Sequence, residues 1–312
     1  MYFIIANPAA QSGQQDNHLL QKLESALKAR QQPYFTCFNA RPAYVKKFIK
    51  SMDRGTGEIK LVAIGGDGTI NSVINAIEDF NRVSFAFLPI GSSNDLARGL
   101  GIKDISKDPS QKENLQKIVA GQVTRKIDLG ELTYDRSGLS RRFVVSCGLG
   151  FDAAVCREVN ESKFKNFFNR FNQGKLTYGA IALRELATIP SCKARIVLDD
   201  QQVIHINKLI FAACMNTPYE GGGFKFAPDA SAENGCLNLA AIGDLNLPQM
   251  LPKFPAAYLG KYYQFKGVHH GPFHKMQIKL DQPLWVHTDG EVTRKSSEVS
   301  VKCLPRVLKM LI

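Results

Sequence analysis

Residues 60–71, Lys-Leu-Val-Ala-Ile-Gly-Gly-Asp-Gly-Thr-Ile-Asn, limit what this chain can become more than any other stretch. The apolar run 61–64 reads as a buried strand. Val73, Ile74 and Ile77 recur after it at helical spacing, with Thr69 or Asn71 placed to open the helix. Between them Gly65, Gly66 and Gly68 make a turn without bulk. Backbone N–H groups in such a turn can approach an anion closely, and a helix N-terminus adds about half a positive charge, so phosphate is the natural occupant. Asp67 would repel a bare phosphate. It fits if Mg²⁺ sits nearby, or if its carboxylate orders the loop by accepting backbone hydrogen bonds. The competing reading is a structural strand-to-helix turn; the density of small and acidic residues favours a nucleotide.

The flanking sequence repeats the strand-then-helix theme. Residues 2–6 read as a strand, 7–13 (Asn-Pro-Ala-Ala-Gln-Ser-Gly) as a second turn suited to phosphate, and Leu19, Leu20, Leu23 and Leu27 as one face of a helix. A strand at 34–38 precedes a helix marked by Val45, Phe48, Ile49 and Met52. A strand at 85–90 precedes the polar turn Gly91-Ser92-Ser93-Asn94-Asp95. Repeated β-then-α units imply a parallel sheet flanked by helices, with ligands beyond the carboxyl ends of its strands. After about residue 122 the pattern changes. Apolar runs at 142–147, 194–198, 203–215, 237–242, 276–280, 284–288 and 299–304 include several with period-two alternation, and Asp199-Asp200, Asn234-Gly235 and Asp289-Gly290 offer hairpin turns. The expected organisation is an α/β nucleotide domain over 1–125 and a mostly antiparallel β domain over 126–312. The boundary region is 101–122, and the last residues are expected to pack back on the first domain.

A formal charge of +12 over 312 residues and a pI near 9.3 point to an anionic partner. No arginine-rich block, zinc-finger spacing or RNP-like pattern accompanies the charge, so nucleic acid is not the expected one. Seven scattered cysteines, odd in number and without a Cys-x-x-Cys pair, suit reduced thiols in a cytoplasm. The N-terminus lacks a basic lead and its apolar run is too short for a signal peptide; no segment is long enough to cross a bilayer, so membrane contact should be peripheral. Phe164, Phe167, Phe168 and Phe171 fall on one helical face edged by Lys163, Lys165, Arg170 and Lys175. That face can pack on the β domain or enter an anionic bilayer surface. Residues 247–267 mix Leu251, Phe254, Tyr258, Leu259, Tyr262, Tyr263 and Phe265 with Lys253, Lys261 and Lys266, and the same two readings apply.

Five motifs in order then carry a resemblance over most of the chain: Gly65-Gly66-Asp67-Gly68-Thr69; Pro89-x-Gly91-Ser92-x-Asn94-Asp95-Leu96-Ala97-Arg98; Ser146-x-Gly148-x-x-x-Asp152-Ala153; Gly221-Gly222-Gly223 with Pro228-x-Ala230; and Asp289-Gly290-Glu291. Together they resemble the soluble lipid kinases of the diacylglycerol kinase catalytic-domain family, bacterial YegS-like enzymes included, which are related to sphingosine and ceramide kinases. The first motif is shared with NAD kinases; the second, at its distance from the first, separates the lipid kinases. The resemblance implies an α/β domain and a β-sandwich domain with the active site in the cleft between them. It also implies ATP and Mg²⁺ as cofactors, a place in phospholipid biosynthesis, and a lipid acceptor at an anionic membrane surface; a homodimer is compatible with it. By the same resemblance the nucleotide would contact Asn7, Pro8, Ser12, Gly13, Thr36, Gly65, Gly66, Asp67, Gly68, Thr69, Asn71, Ser92, Asn94 and Asp95. Glu291 matches the family's proton acceptor, with Asp289 and Asp67 beside it in the catalytic set. A structural Mg²⁺ site of related bacterial enzymes maps to Ser231, Asn234 and Cys236, where Asn234 keeps a carbonyl oxygen but loses the acid's charge. Ser92 stands where threonine is usual and Gln11 where glycine is usual.

Two other functions compete. The first motif by itself also fits an NAD kinase, and the departures at Gln11 and Asn234 would fit a catalytically silent nucleotide- or lipid-binding module. Gly148-x-Gly150-x-x-Ala153 mimics a dinucleotide fingerprint but lacks an acid about 20 residues on, where Phe167 and Phe168 stand. His269, His270 and His274 lack zinc spacing and read as a polar loop.

Overall fold

The computed structural model describes residues 1–7, 14–52, 55, 57–91, 93–102, 110–134, 137–161, 184, 188, 190–250 and 253–312. The first half alternates as the periodicity requires: β1 (Tyr2–Ala6), α1 (Gln14–Ala29), β2 (Tyr34–Cys37), α2 (Pro42–Met52), β3 (Ile59–Gly65), α3 (Asp67–Ala76), β4 (Val83–Pro89), α4 (Asp95–Gly99) and α5 (Ser110–Ala120). The strands β2, β1, β3 and β4 lie side by side in that order and are parallel, with Ile4 opposite Val62 and Ile64 opposite Leu88. β1 and β4 are buried along their whole length, and β3 is buried but for Lys60. Both faces of this sheet are therefore covered, as parallel sheets require. One expectation is corrected here. The helix α3 opens at Asp67, not at Thr69 or Asn71, because Gly66 takes the extended N-cap conformation and an acid is favoured in the first turn.

The second half supplies β5 (Arg125–Tyr134), β6 (Leu139–Phe143), β7 (Ser146–Gly150), α6 (Phe151–Glu161), β8 (Ala194–Leu198), β9 (Gln202–Ile206), β10 (Leu209–Met215) and β11 (Leu237–Gly243). Two short helices follow, α7 (Leu247–Met250) and α8 (Lys253–Tyr258), and then β12 (Val268–Phe273), β13 (Lys275–Thr288) and β14 (Glu291–Met310). β10, β11, β12, β7, β13, β8 and the first part of β14 pair antiparallel. Their inner faces enclose a core that includes Leu149, Cys214, Leu239, Ile278 and Val286. Several runs divide differently from the sequence reading. Residues 142–147 break into β6 and β7 at Val144 and Val145. Residues 276–288 form one strand with two register shifts. Asn234-Gly235 lies in the loop before β11 and joins no hairpin. His269 and His270 belong to β12, where His270 stacks on Tyr263 with centroids 3.7 Å apart. The aromatic stretch around Phe164–Phe171 lies outside the described residues.

β14 runs between the halves. It pairs with β13 and β5, shifts register between Leu304 and Leu308, and ends parallel to β4 with Met310 opposite Phe85. At the shift Arg306 has φ 53°, and its N–H donates to the buried Asp128 carboxylate at 2.7 Å. Leu308, Met310, Leu311 and Ile312 then enter the core of the α/β half. The Leu311 N–H donates to Phe85 O at 2.9 Å. Replacing the fully buried Leu311 by alanine should lower stability by about 2–4 kcal/mol in urea denaturation. A loss within error of zero would show that the tail does not hold the α/β half.

Candidate active site

The carboxyl end of β3 meets the carboxyl end of β4 at two glycines. A Cβ on Gly66 would lie 3.2 Å from Gly91 Cα, and one on Gly65 would lie 2.4 Å from Thr69 Oγ1. A side chain at Gly65 would displace Thr69, and one at Gly66 would crowd the Gly91 backbone of the next turn. Asn7, from the end of β1, donates its amide to Thr69 Oγ1 at 3.1 Å and brings a third turn to the same place. No side chain caps α3. The N-terminal partial charge of that helix therefore faces the glycine turn without a capping side chain.

Asp67 points away from that turn and across to the next motif. Its carboxylate accepts the N–H groups of Asp95 at 3.0 Å and Leu96 at 3.3 Å, which open α4. Asn94 closes the preceding loop. It sits in the left-handed region at φ 49°, its Oδ1 accepts the Gly91 N–H at 2.8 Å, and its Nδ2 donates to Gly91 O at 2.8 Å. Asp95 pairs with Arg98 and accepts the Gly222 N–H at 2.9 Å, which ties this loop to the glycine run of the β half. Of the alternatives for Asp67, loop ordering is the one its hydrogen bonds serve.

The Asp289-Gly290 turn joins β13 to β14 and is the second bridge. Asp289 is buried, with φ 49°, and accepts from Val144 N at 3.0 Å, Val145 N at 2.8 Å, Ser146 N at 3.1 Å and Asn71 Nδ2 at 2.8 Å. This is why residues 142–147 cannot continue as one strand: their N–H groups turn inward to the carboxylate. Asn71 is spent in the same bridge. Its Nδ2 also donates to Arg142 O at 3.1 Å, and its Oδ1 accepts from Arg141 Nη2 at 3.0 Å. Asp67, Asp289 and the Asn71 side chain, expected at the nucleotide and the chemistry, each make these bonds to a neighbouring element. All three groups are engaged in positioning.

Glu291 is different. It is exposed at the start of β14, yet a Cβ on Gly68 would lie 2.8 Å from its Oε1. A carboxylate of the β half thus stands against the first turn of α3. Beneath the turn lies a cluster that the sequence reading did not assemble. His287, fully buried, has Nε2 at 3.2 Å from Asp152 Oδ2 and 3.1 Å from Glu220 Oε1, while its Nδ1 accepts the Gly290 N–H at 3.1 Å. These three side chains are close enough to hold a cation. However, the Gly290 bond leaves the imidazole proton on Nε2, pointing at both carboxylates, so a proton and not a metal closes the cluster. Burial opposes charge on His287, but Cys156, Glu220 and Asp152 outweigh it and raise its pKa; burial raises that of Asp152. The cluster braces Gly290 and through it Glu291. The sequence signal that could have found it is a histidine two residues before the Asp-Gly turn, between Val286 and Thr288 at the end of β13.

Of the remaining expected residues, Thr36 lies on β2 and donates to Glu24 Oε1 at 2.9 Å. Pro8, Gln11, Ser12, Gly13 and Ser92 fall outside the described residues. Asn234 and Cys236 are adjacent, but the Asn234 Oδ1 accepts the Cys236 N–H at 3.2 Å in a local turn, and the Ser231 hydroxyl accepts the Glu233 N–H at 3.4 Å. The acid of this neighbourhood is Asp128, whose oxygens accept the N–H groups of Gly235 and Arg306 at 2.7 Å each. At the expected cation site the Asn234, Ser231 and Asp128 oxygens all accept backbone N–H groups.

Comparison with known proteins supports the two-part fold. Residues 1–132 match the diacylglycerol kinase catalytic domain, and residues 144–312 match the YegS C-terminal NAD kinase beta sandwich-like domain. The chain therefore belongs to the diacylglycerol kinase catalytic-domain family, whose members are kinases with an alcohol as acceptor. A diacylglycerol kinase of Bacillus subtilis is 26% identical over 292 residues, covering 92% of this chain and 88% of that one. The crystal structure of a diacylglycerol kinase from Bacillus anthracis superposes with a TM-score of 0.67 at 19% identity, over 99% of this chain and 96% of the other. An NAD kinase from Archaeoglobus fulgidus, solved in complex with ATP, shares the fold at a TM-score of 0.50 and 9% identity, over 97% and 90%.

Asp67 gives the site a pH signature. Burial and then the Asp95 charge push its carboxyl up to about 6, against the hydrogen bonds from Asp95 and Leu96. A raised carboxyl favours the folded state most below its unfolded value of 3.8 and loses that contribution as pH rises through about 6. In urea titrations the Asp67→Asn variant should show a shallower fall in stability between pH 4 and 6 than the parent chain, windowed by those two values. Equal slopes would contradict the burial of this carboxylate.

Proposed function

We propose that this protein transfers the γ-phosphoryl group of Mg²⁺-ATP to a hydroxyl of a membrane lipid of diacylglycerol or sphingoid type. The observation that carries the proposal is the stand of Glu291 Oε1 against Gly68, at the uncapped N-terminus of α3. The turn suits a triphosphate on its own chemistry: Thr69, Gly91 and Glu291 crowd the positions a Cβ would take at Gly65, Gly66 and Gly68, so the turn keeps glycines whose backbone N–H groups carry no side-chain bulk. When bound, Mg²⁺-ATP supplies the transferable group and neutralises charge as it leaves.

The chain's own residues divide the remaining work. Gly65, Gly66 and Gly68 present backbone N–H groups, with Thr69 and Asn7 fixing the shape of the turn. Asp67, Asn94 and Asp95 hold the second turn against the first. Asn71 and Asp289 hold the β half over α3. Glu291, accessible and carboxylate-bearing, accepts the proton of the attacking hydroxyl, which is the step a positioned base accelerates. The excess of positive charge supports an acceptor presented at an anionic membrane surface. Among the described residues no helix is long and apolar enough to cross a membrane.

Glu291→Gln keeps size and removes the base. With labelled ATP and mixed lipid vesicles, kcat should fall about 100-fold or more, while the Kd for a non-hydrolysable ATP analogue stays within about threefold. Full turnover in the variant would remove Glu291 from the chemistry, and label appearing in NADP from added NAD but in no lipid would overturn the acceptor class.

A further inference from the structure

Two adjacent side chains near the cleft are left uncovered in a way that the local backbone enforces. Tyr258 and Leu259 are 54% and 62% exposed at the end of α8. The helix stops in a Schellman arrangement: the Gly260 N–H bonds to Ala257 O at 3.0 Å and the Lys261 N–H to Ala256 O at 2.8 Å, with Gly260 at φ 69°. A side chain at Gly260 would meet Pro228 Cγ at 3.0 Å and Lys225 Cβ at 3.2 Å, so the turn is pressed onto the segment before it. Leu259 is the residue at the C-cap, directed outward by a rigid motif.

The surroundings of this pair are basic. Lys225, whose N–H donates to Ala257 O at 3.0 Å, lies with its ammonium 5.4 Å from the centre of the Tyr219 ring, and the Arg98 guanidinium is 5.6 Å from the same centre. Lys261 and Lys266 are exposed, and residues 245–267 contain no Asp or Glu. The patch is also continuous with the candidate active site. The Tyr258 ring packs edge-on against Phe224 with centroids 5.5 Å apart. A Cβ on Gly223 would lie 3.8 Å from Tyr258 and 3.4 Å from Arg98, and the neighbouring Gly222 donates to Asp95.

We propose that Tyr258 and Leu259, with Lys225 and Lys261 beside them, form the surface by which this protein docks on an anionic lipid bilayer. The inference rests on the lipid-kinase reading of the cleft and names the face that meets the membrane. An aromatic and a branched aliphatic side chain enter the headgroup boundary, while the cations pair with lipid phosphates around them. Two copies of the patch placed face to face would set lysine against lysine in a protein already at +12, so a bilayer suits it better than a second copy.

The test is flotation of the full chain with phosphatidylglycerol–phosphatidylcholine vesicles and with pure phosphatidylcholine, comparing the parent with Leu259→Asp and Lys261→Glu. Both substitutions are at exposed positions, and a thermal melt checks that the fold is kept. Leu259→Asp should lower partitioning to the anionic vesicles about tenfold through lost apolar burial. Lys261→Glu should lower it roughly fivefold, an effect that shrinks as salt is added. Turnover of a short-chain diacylglycerol dispersed as monomer should be the same in all three proteins. Parent-like binding by both variants would overturn the proposal, as would Leu259→Asp converting a dimer to a monomer without changing vesicle binding. If no lipid is phosphorylated by the parent but vesicle binding falls as described, the kinase reading fails and the docking surface stands.

Discussion

The buried carboxylate of Asp289 is the interaction on which the arrangement of the two halves depends. Its oxygens gather three consecutive backbone N–H groups, from Val144, Val145 and Ser146, and the amide of Asn71. Burial raises its pKa, and those hydrogen bonds pull the other way. Hydrogen bonds to a charged acceptor contribute about 1.5–3 kcal/mol each, and leaving the same donors buried without it would cost at least as much. The carboxylate therefore fixes three things together: the corner between β6 and β7, the αL turn before β14, and the distance from that turn to α3.

Asp67 and Asp95 repeat the device on the other side of the cleft. Each acid sits in one turn and accepts N–H groups from the next, so the first turn holds α4 and α4 holds the glycine run at Gly222. Asp289, Asp67 and Asp95 thus all work through backbone amides. Glu291 stays accessible because the others are engaged, and the His287, Asp152 and Glu220 cluster supports it from beneath through Gly290. A carboxylate held rigidly at its base and free at its tip is what a proton acceptor requires.

Much of this was legible in the residues. Strand and helix alternation up to about residue 100 follows from apolar runs and glycine turns that are local. So does the change to β structure after residue 122. The helix start was misplaced by two to four residues, because nothing local shows Gly66 extended and Asp67 already in the first turn. The corner at Val144 and Val145 was invisible for another reason: both residues are β-formers, and what breaks the strand is a carboxylate far along the chain. β14 looked like the short run 299–304, since Pro305 interrupts the pattern. It continues to Met310 because Asp128 takes the Arg306 N–H and lets the strand shift register. The buried histidine cluster draws on α6, β13 and the loop after β10, and no spacing rule joins elements so far apart.

Placement of a triphosphate is the most direct check on the whole account. A crystal structure with a non-hydrolysable ATP analogue should put the terminal phosphate at the first turn of α3, within about 3 Å of a backbone N–H of the glycine turn, on the side where Glu291 stands. A terminal phosphate bound away from α3, or one that leaves Glu291 on the opposite side of the cleft, would contradict it.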